Sequence, residues 1–230
     1  FTADKSAFDK NGIQWVINPL DEFGLTKAIK LQESAGATVT VLNVGDATTE
    51  PVIRKSLAMG ANDAIRINVE PKDSFSVAKE IANVAQAGGY DLILCGKESI
   101  DYNGGAVPGM VAQLLHQPFV NACVGLEVNG AEATAVREIE GGKETISVKL
   151  PAVIAGQKGM VDEKDLIIPN MRGIMSARSK PLAVNEPINT EVKVDAVSFD
   201  SVPARAAVKM VAPDNLDELV RLLHEEAKVI

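Results

Sequence analysis

Between Gly96 and Gly109 the chain sets four glycines (Gly96, Gly104, Gly105, Gly109) among Lys97, Glu98, Ser99, Ile100, Asp101, Tyr102, Asn103, Ala106 and Val107. The stretch leaves an apolar run, DLILC, and enters a helical pattern. Glycines permit tight turns and close backbone approach. A helix start offers free N–H groups and a partial positive charge, which suits a phosphate. Asp101 and Asn103 could fix the loop or bind a sugar hydroxyl. The spacing is neither GxGxxG nor GxxxxGK[ST], so an ordinary glycine-rich turn competes with the phosphate reading. A second group is Asn18-Pro19-Leu20-Asp21, with the loop after the apolar run 38–44 at the same expected sheet edge. Asn18 reads as a helix cap, and a cap is compatible with ligand contact. A third is PNMRGIMSARSKPL, 169–182, which sets Met171, Ile174 and Met175 beside Arg172, Arg178 and Lys180. Apolar residues on a segment that cannot bury them suggest a docking surface, and methionines suit adaptable contacts. A wrapping arm packed on its own domain is the alternative.

No nucleophile–base pair, carboxylate dyad or metal-ligand spacing stands out. Ser99 and Ser176 have no histidine nearby in sequence, and His116 and His224 are isolated, so no metal is expected. The two cysteines, Cys95 and Cys123, lack CxxC spacing and sit among apolar neighbours, as buried reduced thiols do.

These groups need a scaffold. Asn18, Pro19, Asp21 and Glu22 start a helix over 18–36 that Gly36 stops. TVTVLNVG, 38–45, reads as a buried strand. Residues 49–59 read as helix, 64–69 as strand, 74–87 as amphipathic helix and 91–96 as a short strand. After the glycine loop a helix runs to about Leu115. Alternation with short links predicts a parallel sheet with helices on both faces, and ligands on such sheets bind beyond the carboxyl ends of the strands. After Pro118, period-two runs broken by Asn129–Gly130 and Gly141–Gly142 predict an antiparallel meander. Residues 156–190 have little periodicity and read as an extended excursion. The chain closes with a strand-like run near 191–199 and an amphipathic helix from about Asn215 to Ala227.

Composition agrees with an α/β domain: 230 residues, 46% hydrophobic, only 4% aromatic. A formal net charge of −8 argues against a nucleic-acid backbone or an anionic membrane as main partner. No apolar run reaches the length of about 20 residues that a bilayer span needs. The expected chain is soluble, without membrane insertion.

INPLDEFGLTKAIKL, IRKSLAMGANDAIRI, DLILCGKESID, EIEGGKETISVKLPAVIAG and PNMRGIMSARSKP follow one another in an order that resembles the beta subunits of electron transfer flavoproteins. The resemblance implies a Rossmann-like, adenine-nucleotide-binding fold. It implies a mostly parallel sheet flanked by helices, an added antiparallel hairpin and a long C-terminal arm. Residues 1–155 would be the nucleotide-binding domain, its family's opening strand lying before Phe1. Residues 156–190 would be the recognition-loop excursion, and 191–230 an arm and helix on a partner subunit. By position, Asn18 to Asp21, Val44 and Gly96 through Val107 would contact the nucleotide. Met171, Ile174, Met175 and Arg178 would contact a partner, with Met171 where the family has an anchoring leucine. Gly105-Ala106-Val107 replace the family's Asn-Gln-Thr, which leaves phosphate binding to backbone N–H groups. Asp165-Leu166-Ile167-Ile168 replace its Glu-Pro-Arg-Tyr.

The implied protein is a heterodimer with an alpha subunit that carries FAD at the interface, while this chain holds structural AMP. It would take electrons from flavin dehydrogenases such as acyl-CoA dehydrogenases, as in fatty acid oxidation, without catalytic residues of its own. It would sit in the cytoplasm if bacterial and in the mitochondrial matrix if eukaryotic. In an electron-bifurcating relative, FAD would occupy this chain's site. An ATP-binding signalling domain or pyrophosphatase is the reading from another class. The pyrophosphatase would carry a Ser-Gly-Gly-x-Asp-Ser loop, which does not occur here.

Overall fold

A computed structural model describes residues 1–188, 190–205 and 207–230. It divides into two units, one of Lys10–Asp195 and one of Phe1–Asp9 with Ala196–Ile230.

In the larger unit, helix α1 (Pro19–Ala35) has Pro at its start, acidic Asp21 and Glu22 in its first turn, and Gly36 at φ 71° as its left-handed stop. Strand β1 (Thr40–Val44), helix α2 (Glu50–Met59) and strand β2 (Asp63–Ile67) follow. Helix α3 (Ser74–Gly88) is capped by Asp73, whose carboxylate accepts the Ser76 amide. Strand β3 (Leu92–Gly96), the glycine loop and helix α4 (Val107–Leu115) come next. Strands β4 (Phe119–Asn129), β5 (Glu132–Ile139) and β6 (Gly142–Lys149) form the expected meander, turning at Gly130 and Gly141, both at positive φ. Strand β7 (Ala152–Gly156) is buried along its whole length.

The strands make two hydrogen-bonded sheets rather than one. The first is wholly parallel, in the order β1-β2-β8, where β8 is Leu182–Asn185. The second runs β3-β7-β4-β5-β6, parallel among β3, β7 and β4 and antiparallel beyond. Alternation along β7 shows the layering. Ile154 joins Phe23 of α1 in one core cluster, while Val153 joins Ala78 of α3 and Val111 and Ala112 of α4 in another. Helices therefore cover both faces of this parallel region, as the alternation of elements predicts.

Two expectations need correction. The excursion is not structureless: it contains helix α5 (Met171–Ala177) as well as β8. The strand-like run near 191–199 forms no strand among the described residues. Alternating valines supply a pattern, but the Lys193 and Val194 amides donate to the Asp73 carboxylate instead of to a neighbouring strand.

In the smaller unit, Phe1 stacks on Phe199 with ring centroids 5.3 Å apart, and Lys5 pairs with Asp200. Helix α6 (Leu216–Arg221) runs into a π turn, Leu222–Glu226, close to the predicted C-terminal helix. Val197, Val202, Val208 and Met210 are exposed on irregular backbone.

Candidate nucleotide site and docking helix

The glycine loop begins where β3 and β7 end side by side, at the Gly96–Gly156 pair. The Lys97 amide extends the ladder by donating to the Gly156 carbonyl at 2.8 Å. Gly96 lies against the start of α1. A Cβ there would stand 2.8 Å from Asn18 Nδ2, 2.9 Å from Leu20 Cβ and 3.0 Å from the Asp21 nitrogen, so the close approach demands glycine.

Three hydrogen bonds bind the loop to that helix start, and a fourth joins the two side chains that make them. Asp21 accepts the Gly96 amide at 2.6 Å and Asn18 Nδ2 at 2.7 Å. Asn18 Nδ2 also donates to the Glu98 carbonyl at 2.9 Å, and Asn18 Oδ1 accepts the Ile100 amide at 3.3 Å. The expected side-chain cap is therefore absent. A capping oxygen must reach an amide in the first helical turn, whereas the Asn18 oxygen faces the loop. Only its backbone carbonyl takes helix amides, those of Asp21 and Glu22, at 2.9 and 3.1 Å.

Beyond this attachment the loop folds on itself. The Ser99 amide donates to the Gly104 carbonyl at 3.1 Å, and Asn103 takes the left-handed conformation at φ 50°. Asp101 accepts the Tyr102 amide, so one oxygen of its carboxylate is spent within the loop, and the Tyr102 ring is exposed. Gly105 passes close enough that a Cβ would lie 3.2 Å from the Lys97 carbonyl.

Helix α4 then starts without a side-chain cap. The amides of Gly105, Ala106 and Val107 find no acceptor among the described residues. They sit at the positive end of a helix dipole, at the carboxyl end of parallel strands. Three free donors on a constrained backbone fit a phosphate group.

Val44 ends β1, and the backbone past it carries Asp46. Lys10 pairs with Glu70 beside this edge. Its hydrogen bond to Glu70, and the nearby charges of Asp46 and Tyr102, hold the ammonium above its ordinary pKa. Trp15 donates from Nε1 to Thr48 at 3.2 Å beside the same edge. Neither Lys10 nor Trp15 stood out in the sequence, because neither belongs to a motif. Only the scarcity of tryptophan, one in the chain, could have drawn attention to Trp15.

The residues expected to meet a partner gather on α5. Met171, Ile174, Met175 and Arg178 follow helical spacing, and all four are exposed, Met171 at 73% and Met175 at 67%. Ile168, just upstream, is exposed as well. The opposite side of α5 is pinned to α2. Ala177 is buried with Ile53 and Leu57. A Cβ on Gly173 would lie 2.4 Å from the Ala58 carbonyl. Arg54 donates to the Ala177 and Lys180 carbonyls, both at 2.9 Å. Lys180 in turn donates to the carbonyls of Leu57 and Ala61 at the end of α2, and burial draws its pKa down. Apolar side chains left outward by so firm an attachment are on display, not in transit to a core.

Both thiols are pushed up by burial, and among the described residues no His, Cys, Asp and Glu cluster could hold a metal. No helix among those residues is long and apolar enough to cross a membrane.

Comparison with known proteins points one way. The family model for the electron transfer flavoprotein domain matches residues 6–188. The electron transfer flavoprotein subunit beta of Bacillus subtilis is 34% identical over 96% of this chain and 90% of its own length. The mitochondrial subunit beta of Oryza sativa subsp. japonica is 31% identical over 99% of this chain and 92% of its own. The Homo sapiens subunit beta is 28% identical over 98% and 91%.

Proposed function

The chain belongs to the electron transfer flavoprotein family, among its beta subunits, and from that premise we propose that it holds one structural AMP and docks flavin dehydrogenases while an FAD-bearing alpha subunit carries the electrons. The observation that carries the AMP reading is the set of free amides at Gly105, Ala106 and Val107 on a loop already fastened at Gly96, Glu98 and Ile100. Those amides would hold the phosphate. Side chains at these three positions offer no donor, so the grip is a main-chain one. The contacts expected along 18–21 and 96–107 lie about the end of β3, whereas Val44 ends β1 in the other sheet.

Helix α5 is proposed as the dehydrogenase-docking element, with Met171 as its apolar plug. An unbranched, exposed methionine can enter a partner's pocket at small conformational cost. The exposed valines and Met210 of the 196–212 stretch support an arm that covers the alpha subunit. No catalytic role is assigned to this chain: it braces the nucleotide and brings a donor flavin near the acceptor flavin.

The test is chemical identification. The protein is purified with and without its partner, denatured, and the released small molecules are quantified. One AMP per chain is expected from both, with FAD only where the alpha subunit is present. Stoichiometric FAD from this chain alone would replace the AMP reading with the bifurcating one. ATP hydrolysis by the chain alone would favour the signalling or pyrophosphatase class.

A further inference from the structure

We infer that Asn18 and Asp21 are positioning residues that shape the glycine loop before any ligand arrives, and are not themselves ligand contacts through their side chains. The inference rests on the nucleotide-binding reading above and deepens it.

Exhaustion of the donors carries the argument. Both Asn18 donor directions and its oxygen are engaged, by Asp21 Oδ2, the Glu98 carbonyl and the Ile100 amide. Both Asp21 oxygens are engaged, by the Gly96 amide and Asn18 Nδ2. Every partner outside the pair belongs to the loop, 75 to 82 residues away in sequence. With both Asn18 N–H groups spent on the protein and no donor on Asp21, the pair has no hydrogen left to offer a phosphate. The pair also has a fixed polarity. Asp21 supplies acceptors only, Asn18 supplies the one bridging donor, and neither order can be inverted without a change of residue.

Two consequences follow. The Gly96 amide, at the base of the loop, is occupied by a carboxylate. An anion is thereby repelled from the base of the loop and directed to the free amides at Gly105–Val107. In addition, the ordering cost of the loop is met during folding rather than on binding, which favours affinity.

A polarity swap tests this. Asn18→Asp places two carboxylates face to face and a carboxylate against the Glu98 carbonyl. Asn18→Asp with Asp21→Asn restores one donor between the pair and keeps acceptors for the Gly96 and Ile100 amides, so that only the carboxylate against the Glu98 carbonyl remains. AMP binding is measured by calorimetry on the full-length proteins after endogenous nucleotide is stripped. Amide exchange at Gly96 and Ile100 is followed in the ligand-free state, and urea denaturation checks the fold.

The expected results are AMP binding weakened tenfold or more by Asn18→Asp, recovery to within about threefold in the swapped pair, and exchange at the two amides tracking affinity. A swapped pair as weak as the single variant, with its amides protected, would show that the ligand reads these side chains directly, and would overturn the inference. Unchanged affinity in Asn18→Asp would overturn it too. A wild-type protein that binds no AMP would instead refute the nucleotide reading on which the inference stands.

Discussion

Replacing Gly173 by alanine sets two effects of opposite sign against each other. Gly173 lies inside α5, at a backbone conformation open to any residue, so propensity alone favours alanine by about 1 kcal/mol. Against this, the new Cβ would lie 2.4 Å from the Ala58 carbonyl oxygen. That carbonyl is backbone of α2 and cannot rotate away as a side-chain tip would. To reach ordinary contact, α5 must retreat by roughly 1 Å, which is the scale of displacement that costs about 1–3 kcal/mol in overpacked cores. The retreat also stretches the Arg54 bonds to the Ala177 and Lys180 carbonyls, which lie in or beside the moving segment. Each such bond from a charged donor is worth roughly 1.5–3 kcal/mol when lost outright, and a fraction of that when lengthened. The balance is a net loss of about 1–2 kcal/mol, since the clash and the strained bonds together outweigh the propensity gain. Urea denaturation of Gly173→Ala gives the stability directly, and donor kinetics give the functional effect of moving Met171 and Met175. A variant as stable as wild type or more so, with unchanged donor kinetics, would refute the claim that α5 is seated by this contact.

Other outcomes follow from the same structure. Met171→Ala should leave stability within about 0.5 kcal/mol, because the side chain is largely exposed, yet weaken electron acceptance from the dehydrogenase without loss of the alpha subunit; unchanged steady-state donor kinetics would count against the docking role. Asp73 is held at a pKa of about 2 by the Ser76 hydroxyl and by the amides of Ser76, Lys193 and Val194. A folded-state pKa below the unfolded value gives stability that is present above about pH 4 and lost as pH falls toward 2. Asp73→Ala should therefore cost about 1 kcal/mol at neutral pH, as lost caps do, and the gap to wild type should close between pH 4 and 2 in denaturation curves. Cys123 is fully buried, its thiol directed to the Gly125 carbonyl and its pKa raised by burial. It should resist a thiol reagent in the native protein and react on unfolding, which a timed labelling assay would show.

The readable parts of this sequence were those governed by local rules. Pro19 and Gly36 bound α1, and Gly130 and Gly141 turn the hairpins, because backbone conformation is decided within a few residues. The glycine loop is visible as a strand-to-helix passage. What stayed hidden depends on distant partners. Asn18 looked like a cap because its local neighbours permit one; its true partners are Glu98 and Ile100. Helix α5 buries only Ala177, its stripe of Met171, Ile174 and Met175 facing outward, and it forms where Gly173 can meet α2. The valines of 191–199 show the reverse case, a strand pattern without a neighbour to pair with.

The most direct test of the account is the nucleotide itself. Mass spectrometry of the small molecules released by denaturing the purified heterodimer, and this chain alone, should find one AMP for each beta subunit in both samples. An absence of AMP from both samples would contradict it.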